Sequence, residues 1–348
     1  MSSALNAEAD RLLGLMQAGG AELFETTILQ PSDVLLDLYG EDIRARSFVT
    51  NDPISGDQML RPDFTVPIVQ AHMAEGAEPA RYCYSGVVFR KQTAQSGRAV
   101  EYLQVGYELF DGKDPAAADA EVFEKFARAL DGLSVTAATG DIGVLKAAIS
   151  GLETSDDRRA ALLRHIWRPA RFASLIKRFA SAQPERTFEP VTAPQIGLRS
   201  EQEIDQRLAH LNADACVAPI PAAQVDAVAR ILQVVGPAPQ ALTQLQDVAK
   251  EFGAISEAVE CLDRRLDALA SRGISVDDLA FDGSYGRRSL EYYDGFVFGF
   301  YADGTSNHPV ASGGRYDALT AVLGQGRGIP AVGGVIRPAQ VVELRGAG

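Results

Sequence analysis

Cysteine is scarce, with three residues in 348, at positions 83, 216 and 261 and no paired spacing. That excludes a disulfide scaffold or a Cys-rich zinc site and leaves Cys83, Cys216 and Cys261 as small apolar residues. Histidine is equally sparse: His72, His165, His210 and His308 form no metal-ligand pattern, so no metal site is expected from them. Long apolar runs are missing too. No stretch approaches bilayer-spanning length, and the N-terminus lacks a basic region followed by an apolar one, so no membrane association and a cytoplasmic place are expected. Positive charge is in deficit, 33 Lys and Arg against 46 Asp and Glu, for a net charge of −13. A protein that holds a polyanion concentrates cations along its contact surface. Here the basic clusters are short (Arg158-Arg159 with Arg164; Arg168, Arg171, Lys177 and Arg178) and read as solvated helix faces. No nucleic-acid partner is expected.

What is present is an ordinary globular composition, 46% hydrophobic and 23% charged, in a chain long enough for one large or two modest domains. Its centre is Arg81-Tyr-Cys-Tyr-Ser-Gly-Val-Val-Phe-Arg90, answered by Glu101-Tyr-Leu-Gln-Val-Gly-Tyr-Glu-Leu-Phe110. Both runs are rich in β-branched and aromatic residues, and the segment between them is polar with Gly97, which predicts an antiparallel hairpin with a long loop. Alternation puts Tyr102, Gln104, Gly106 and Glu108 on one face and Leu103, Val105, Tyr107 and Leu109 on the other. An amide and a carboxylate two pleats apart can receive a small amine-bearing ligand. They can equally belong to a solvated sheet face.

Elsewhere the apolar spacing predicts a helix over 5–18 closed by Gly19-Gly20, a strand over 21–29, and a second helix carrying Val34, Leu35 and Leu38. A strand over 46–50, a turn over 51–56 and a helix over 67–73 follow, with Asp63 placed to cap that helix. After the hairpin come a helix over 114–132, a strand over 133–139 and a helix over 143–150. Residues 151–255 differ in character, rich in Arg and Ala and punctuated by proline, with helical stretches over 157–167, 200–211 and 224–234. They read as a helical insertion between core segments 1–150 and 256–348. A helix over 255–269, strands over 280–282, 288–301 and 309–310, a Gly313-Gly314 turn, and helices over 316–323 and on through Val342 complete the chain.

Four separated segments, in order, resemble the core of histidyl-tRNA synthetase, a class II aminoacyl-tRNA synthetase fold. They are Leu60-Arg-Pro-Asp-Phe-Thr65, the hairpin, Arg288-Ser-Leu-Glu-Tyr-Tyr293 and Ser312-Gly-Gly-Arg-Tyr-Asp317. The hairpin is similar to motif 2, the two late segments to the histidine-specific signatures, and Gly326–Arg337 to motif 3. The resemblance implies an α+β fold, an antiparallel sheet flanked by helices. It assigns the amino group of histidine to Asp63, Thr65 and Gln104, and the imidazole to Glu108 and Tyr293, with Tyr292 as a wall. Arg90 matches the arginine that grips carboxylate and α-phosphate, a bidentate task suited to guanidinium. Arg288 matches the histidine-specific arginine and Arg337 the motif 3 arginine. The region 23–46 corresponds to motif 1, a homodimer element in the synthetases.

The departures fall on the nucleotide side. Phe89-Arg-Lys-Gln92 stands where the synthetases have Phe-Arg-x-Glu, Ile336 replaces the glutamate before Arg337, and Ser289 and Glu291 replace Gly and Asp. No anticodon-binding domain is expected. Kept histidine positions with altered ATP positions resemble the ATP phosphoribosyltransferase regulatory subunits, histidyl-tRNA synthetase paralogues of histidine biosynthesis. That resemblance implies no catalytic residue and no cofactor. It implies L-histidine as allosteric effector, a short-form ATP phosphoribosyltransferase catalytic subunit as partner, and a hetero-octamer. The competing reading is a truncated histidine-activating or aminoacylating enzyme, which retained Arg90 and Arg288 favour.

Overall fold

Alternating aromatic and β-branched residues in the hairpin seed a large sheet in the computed structural model, which describes residues 2–32, 47–54, 56–92, 99–184, 200–287, 292–302 and 308–346. Its strands in chain order are β1 (Glu22–Leu23), β2 (Leu29–Pro31), β3 (Val49–Asp52), β4 (Gly56–Leu60), β5 (Ala80–Phe89) and β6 (Glu101–Phe110), then β7 (Val135–Asp141), β8 (Val235–Pro237), β9 (Ala280–Asp282), β10 (Phe296–Ala302), β11 (Ala311–Arg315) and β12 (Ala331–Ile336). Nine of them form one sheet in the order β1-β5-β6-β12-β11-β10-β7-β9-β8, and β2-β4-β3 form a second. The central ladders are antiparallel; among the described residues only β1–β5 and β7–β9 run parallel. Helices flank the sheet, so the architecture is α+β.

The register sorts the faces. Opposite residues share a face, so Gly86, Gln104, Gly106, Glu108, Gly333, Gly314, Val297, Gly299 and Gly140 all lie on one side of the sheet. On the other side Phe296, Phe298 and Phe300 of β10 pack against Phe123 and Phe126 of the helix Pro115–Ala129. That helix begins where Asp114 accepts the amide of Ala117, with Pro115 in the first turn. Beneath it lies a buried ion network: Arg265, from the helix Ser256–Ser271, donates to Asp119 and Asp141, and Arg315 also donates to Asp119. Two sequence-distant helices are thereby locked to the back of the sheet, at β7 and β11.

Several expectations change. The strand over 21–29 divides into β1 and β2, which belong to different sheets. Between them Gln30 Nε2 donates to the Thr27 carbonyl and Thr27 Oγ1 to the Leu29 carbonyl, local bonds that compete with a ladder. Asp63 does not cap the helix Thr65–Glu75; its N-cap residue is Phe64, with no side-chain cap. Gly313 and Gly314 are not a turn but lie inside β11, where a Cβ would meet Phe298 and Tyr293. The strand that follows Val310 begins at Ala311. Segment 151–255 is not wholly helical, because β8 joins the main sheet beside β9. The second helix near 34–38, most of the region matched to motif 1, and Arg288 lie outside the described residues.

Candidate functional site

The polar face of the hairpin is not solvated. Gln104 is fully buried and Glu108 is 1% exposed, because the helix Thr65–Glu75 and the segment around Tyr292 and Tyr293 cover that side of the sheet. Glu108 sits opposite Gly333 of β12, where any Cβ would overlap its Oε2. Glycine there lets the carboxylate lie flat. Three hydroxyls then converge on it: Thr65 Oγ1 donates to Oε1 at 3.0 Å, Tyr84 to Oε1 at 3.2 Å and Tyr316 to Oε2 at 2.6 Å. Gly106 makes room for the Tyr84 ring, which stacks on Phe64 with centroids 4.4 Å apart.

Burial raises the pKa of Glu108 to about 8, against the pull of the Tyr316, Thr65 and Tyr84 hydroxyls, and nearby Asp63 adds to the rise. The same dry, acidic surroundings push the Tyr84 and Tyr316 phenols well above their ordinary value, burial first and Glu108 next. They stay neutral donors. Glu108 is therefore a carboxyl poised to ionise when a cationic or N–H-bearing ligand arrives.

Around it the other expected residues gather. Asp63 is 2% exposed, with Oδ2 3.8 Å from Arg90 Nη2, while Arg90 Nε donates to the Pro62 carbonyl at 2.7 Å. Tyr292 lies 3.5 Å from Thr65 Oγ1 and meets Tyr293 edge to face. Tyr293 is buried, and its phenol is raised by burial first, then by Glu108. Gln104, on Glu108's face of β6, has neither amide atom hydrogen-bonded, an arrangement that costs a buried polar group roughly 1–3 kcal/mol unless a ligand meets it. Arg337 leaves β12 and donates to the Pro309 carbonyl at 2.6 Å. Among the described residues, Asp63, Thr65, Arg90, Glu108, Tyr292 and Tyr293 are linked by these contacts, with Gln104 placed by register.

Sequence reasoning passed over Tyr84 and Tyr316. Both lie inside quoted motifs, but only the tertiary fold shows that their hydroxyls end on Glu108. It also passed over Arg61, which is buried, donates to the Val87 and Thr26 carbonyls, and lies over the Phe64 ring. Arg61 ties the small sheet to the hairpin. No group of three or more His, Cys, Asp or Glu among the described residues could hold a metal ion.

A family model for histidyl-tRNA synthetase matches residues 2–341. An ATP phosphoribosyltransferase regulatory subunit of Chelativorans sp. is 30% identical, with 99% of each chain covered. One from Brucella anthropi is 32% identical over 90% of each. Among solved structures, a Bacillus halodurans ATP phosphoribosyltransferase regulatory subunit/histidyl-tRNA synthetase superposes with TM-score 0.71 at 22% identity, covering 98% of this chain and 79% of that one. A histidine–tRNA ligase subunit of Alicyclobacillus acidocaldarius gives 0.62 at 24% identity, covering 99% and 93%. The sheet with its flanking helices is thus the class II synthetase fold, and the chain belongs to the histidyl-tRNA synthetase-like family, on the branch of the ATP phosphoribosyltransferase regulatory subunits.

Proposed function

We propose that this chain is the histidine-sensing regulatory subunit of an ATP phosphoribosyltransferase, acting in the cytoplasm on a separate short-form catalytic subunit. The observation that carries the reading is the buried pair on one face of β6: Glu108, held by three hydroxyls, and Gln104, its amide unmet. Free L-histidine supplies what both lack. Its imidazole brings an N–H to Glu108, its ammonium brings donors for Asp63 and Gln104, and its carboxylate suits Arg90. A site that reads a ring N–H rejects analogues without one, because its own buried acceptor would then be stranded. Tyr292 and Tyr293 enclose the ring.

Activation and feedback inhibition are then two states of one assembly, coupled to the site by about 1–3 kcal/mol. Self-association through the region 23–46 supplies the homodimer, and residues 151–255 supply a largely helical unit that also lends β8 to the core sheet. The test is to mix the chain with its short catalytic subunit, follow phosphoribosyl-ATP formation and titrate histidine. The rate should rise on mixing and fall with histidine, and Glu108→Gln should keep the rise and lose the fall. No rise on mixing rules out the activator. Charging of tRNA by the purified chain with ATP and histidine would instead make it a synthetase.

A further inference from the structure

Tyrosine is a poor residue with which to start a helix, because its hydroxyl lies too far from its own backbone to accept the amides of the first turn. Yet Tyr316 is the N-cap residue of the helix Asp317–Leu323, and its side chain makes no cap bond. That side chain is engaged elsewhere, with its hydroxyl on Glu108 Oε2. The first-turn amides are met from another part of the chain. Asp294 Oδ1 accepts the Asp317 N–H at 3.0 Å, and its Oδ2 accepts the Ala318 N–H at 2.8 Å. The Asp294 N–H donates in turn to the Arg315 carbonyl at 2.9 Å. One aspartate thus bonds the residues on both sides of Tyr316. Lys146, from the helix Ile142–Ser150, donates to the same carboxylate at 3.3 Å. Asp294 also directly follows Tyr292 and Tyr293 in the wall of the site. Those two rings meet edge to face, and Tyr292 meets the Tyr316 ring in the same way, with centroids 6.0 Å apart.

We infer that Asp294 is a positioning residue for the Glu108 site: it caps the helix Asp317–Leu323 in place of residue 316 and so holds the Tyr316 hydroxyl on the carboxyl group. A helix of seven residues has little cooperative reserve, and without the Asp294 carboxylate its first turn frays. The 2.6 Å bond from Tyr316 to Glu108 does not survive a displacement of about 1 Å. Of the three hydroxyls on Glu108, that of Tyr316 does most to favour the ionised form, which is the form that accepts a ring N–H. Asp294 therefore sets the strength of ligand binding without touching the ligand. This rests on the histidine reading above and adds to it a residue that lies outside the contact set.

Calorimetry of L-histidine with the full-length chain tests this through a double-mutant cycle. Tyr316→Phe should weaken binding about tenfold and Asp294→Ala about threefold or more. The backbone bond from residue 294 to Arg315 survives the change to alanine, so the loss should fall on Tyr316 alone. Asp294→Ala should accordingly add nothing to Tyr316→Phe, because the hydroxyl it positions is already gone. Asp294→Asn keeps an acceptor for one amide and should recover part of the loss; it also serves if Asp294→Ala does not fold. Lys146→Met, which removes only the ion pair, should bind as the unaltered chain does. A further loss when Asp294→Ala is added to Tyr316→Phe overturns the inference alone. So does unchanged binding in Asp294→Ala, or an equal loss in Lys146→Met. No heat from the unaltered chain overturns the histidine reading and the inference with it.

Discussion

Replacing Glu108 by glutamine removes an ionisable group from a dry position while keeping the side chain's shape. Burial raises this carboxyl from 4.5 to about 8 in the ligand-free protein. An acid whose folded pKa lies above its unfolded value holds its proton more tightly when folded. Its contribution to stability is therefore complete below about pH 4.5 and is lost as pH rises through about 8. Three to four pKa units at 1.36 kcal/mol each amount to a loss on the order of 5 kcal/mol by pH 9, and roughly 3 kcal/mol at pH 7. Glutamine carries no charge at any pH, and its amide can meet the same hydroxyls once they rotate. The difference in unfolding free energy between Glu108→Gln and the unaltered chain should thus be small at pH 5 and grow in favour of glutamine up to pH 9. Urea unfolding without ligand at pH 5, 7 and 9, with the midpoint and slope read at each, measures it. Parallel curves at all three pH values, or a glutamine variant less stable at pH 9, would refute the account. On histidine binding the same change acts in the opposite direction, weakening affinity by about 1–3 kcal/mol because a ring N–H loses its charged acceptor.

Asp119→Ala leaves Arg265 and Arg315, both buried, each short of a carboxylate, and should lower stability by about 3–5 kcal/mol in urea unfolding. A near-neutral result would mean that Asp141 and Asp317 suffice for the two arginines. Gly333→Ala forces a methyl onto Glu108 Oε2; it should destabilise by about 1–3 kcal/mol and weaken histidine binding in calorimetry, whereas Gly328→Ala, at ordinary contact distance from Ala321, should leave binding unchanged.

The hairpin was legible because strand chemistry and alternation are local, and Gln104 and Glu108 fall on one face by counting alone. Whether that face is wet or dry is not local. It depends on the helix Thr65–Glu75 and on Tyr292 and Tyr293, which arrive from far away in the chain. The same holds for Tyr84 and Tyr316: each looks like a core aromatic until its hydroxyl is seen on Glu108. Strand β8 escaped notice for another reason. Three residues ending in Pro237 carry too little pattern to read as a strand, and only pairing with β9 makes them one. Arg265, in an otherwise ordinary amphipathic helix, gave no sign that its face was buried against two aspartates.

Across six neighbouring strands the Glu108 side of the sheet carries a glycine in turn: Gly86, Gly106, Gly333, Gly314, Gly299 and Gly140. Each lies beneath a bulky neighbour, with Phe64, Tyr84, Glu108, Tyr293 or Tyr285 resting where a methyl would go. A saturation-mutagenesis map of the chain would show these positions as isolated intolerant sites scattered from 86 to 333. Redrawn on the sheet, they join into one line running across the strands. The line marks how low the side chains lie, and so fixes the headroom left for whatever enters. A heritable enlargement anywhere along it would shrink the range of acceptable ligands, so selection for a different effector would have to act through the residues of the roof.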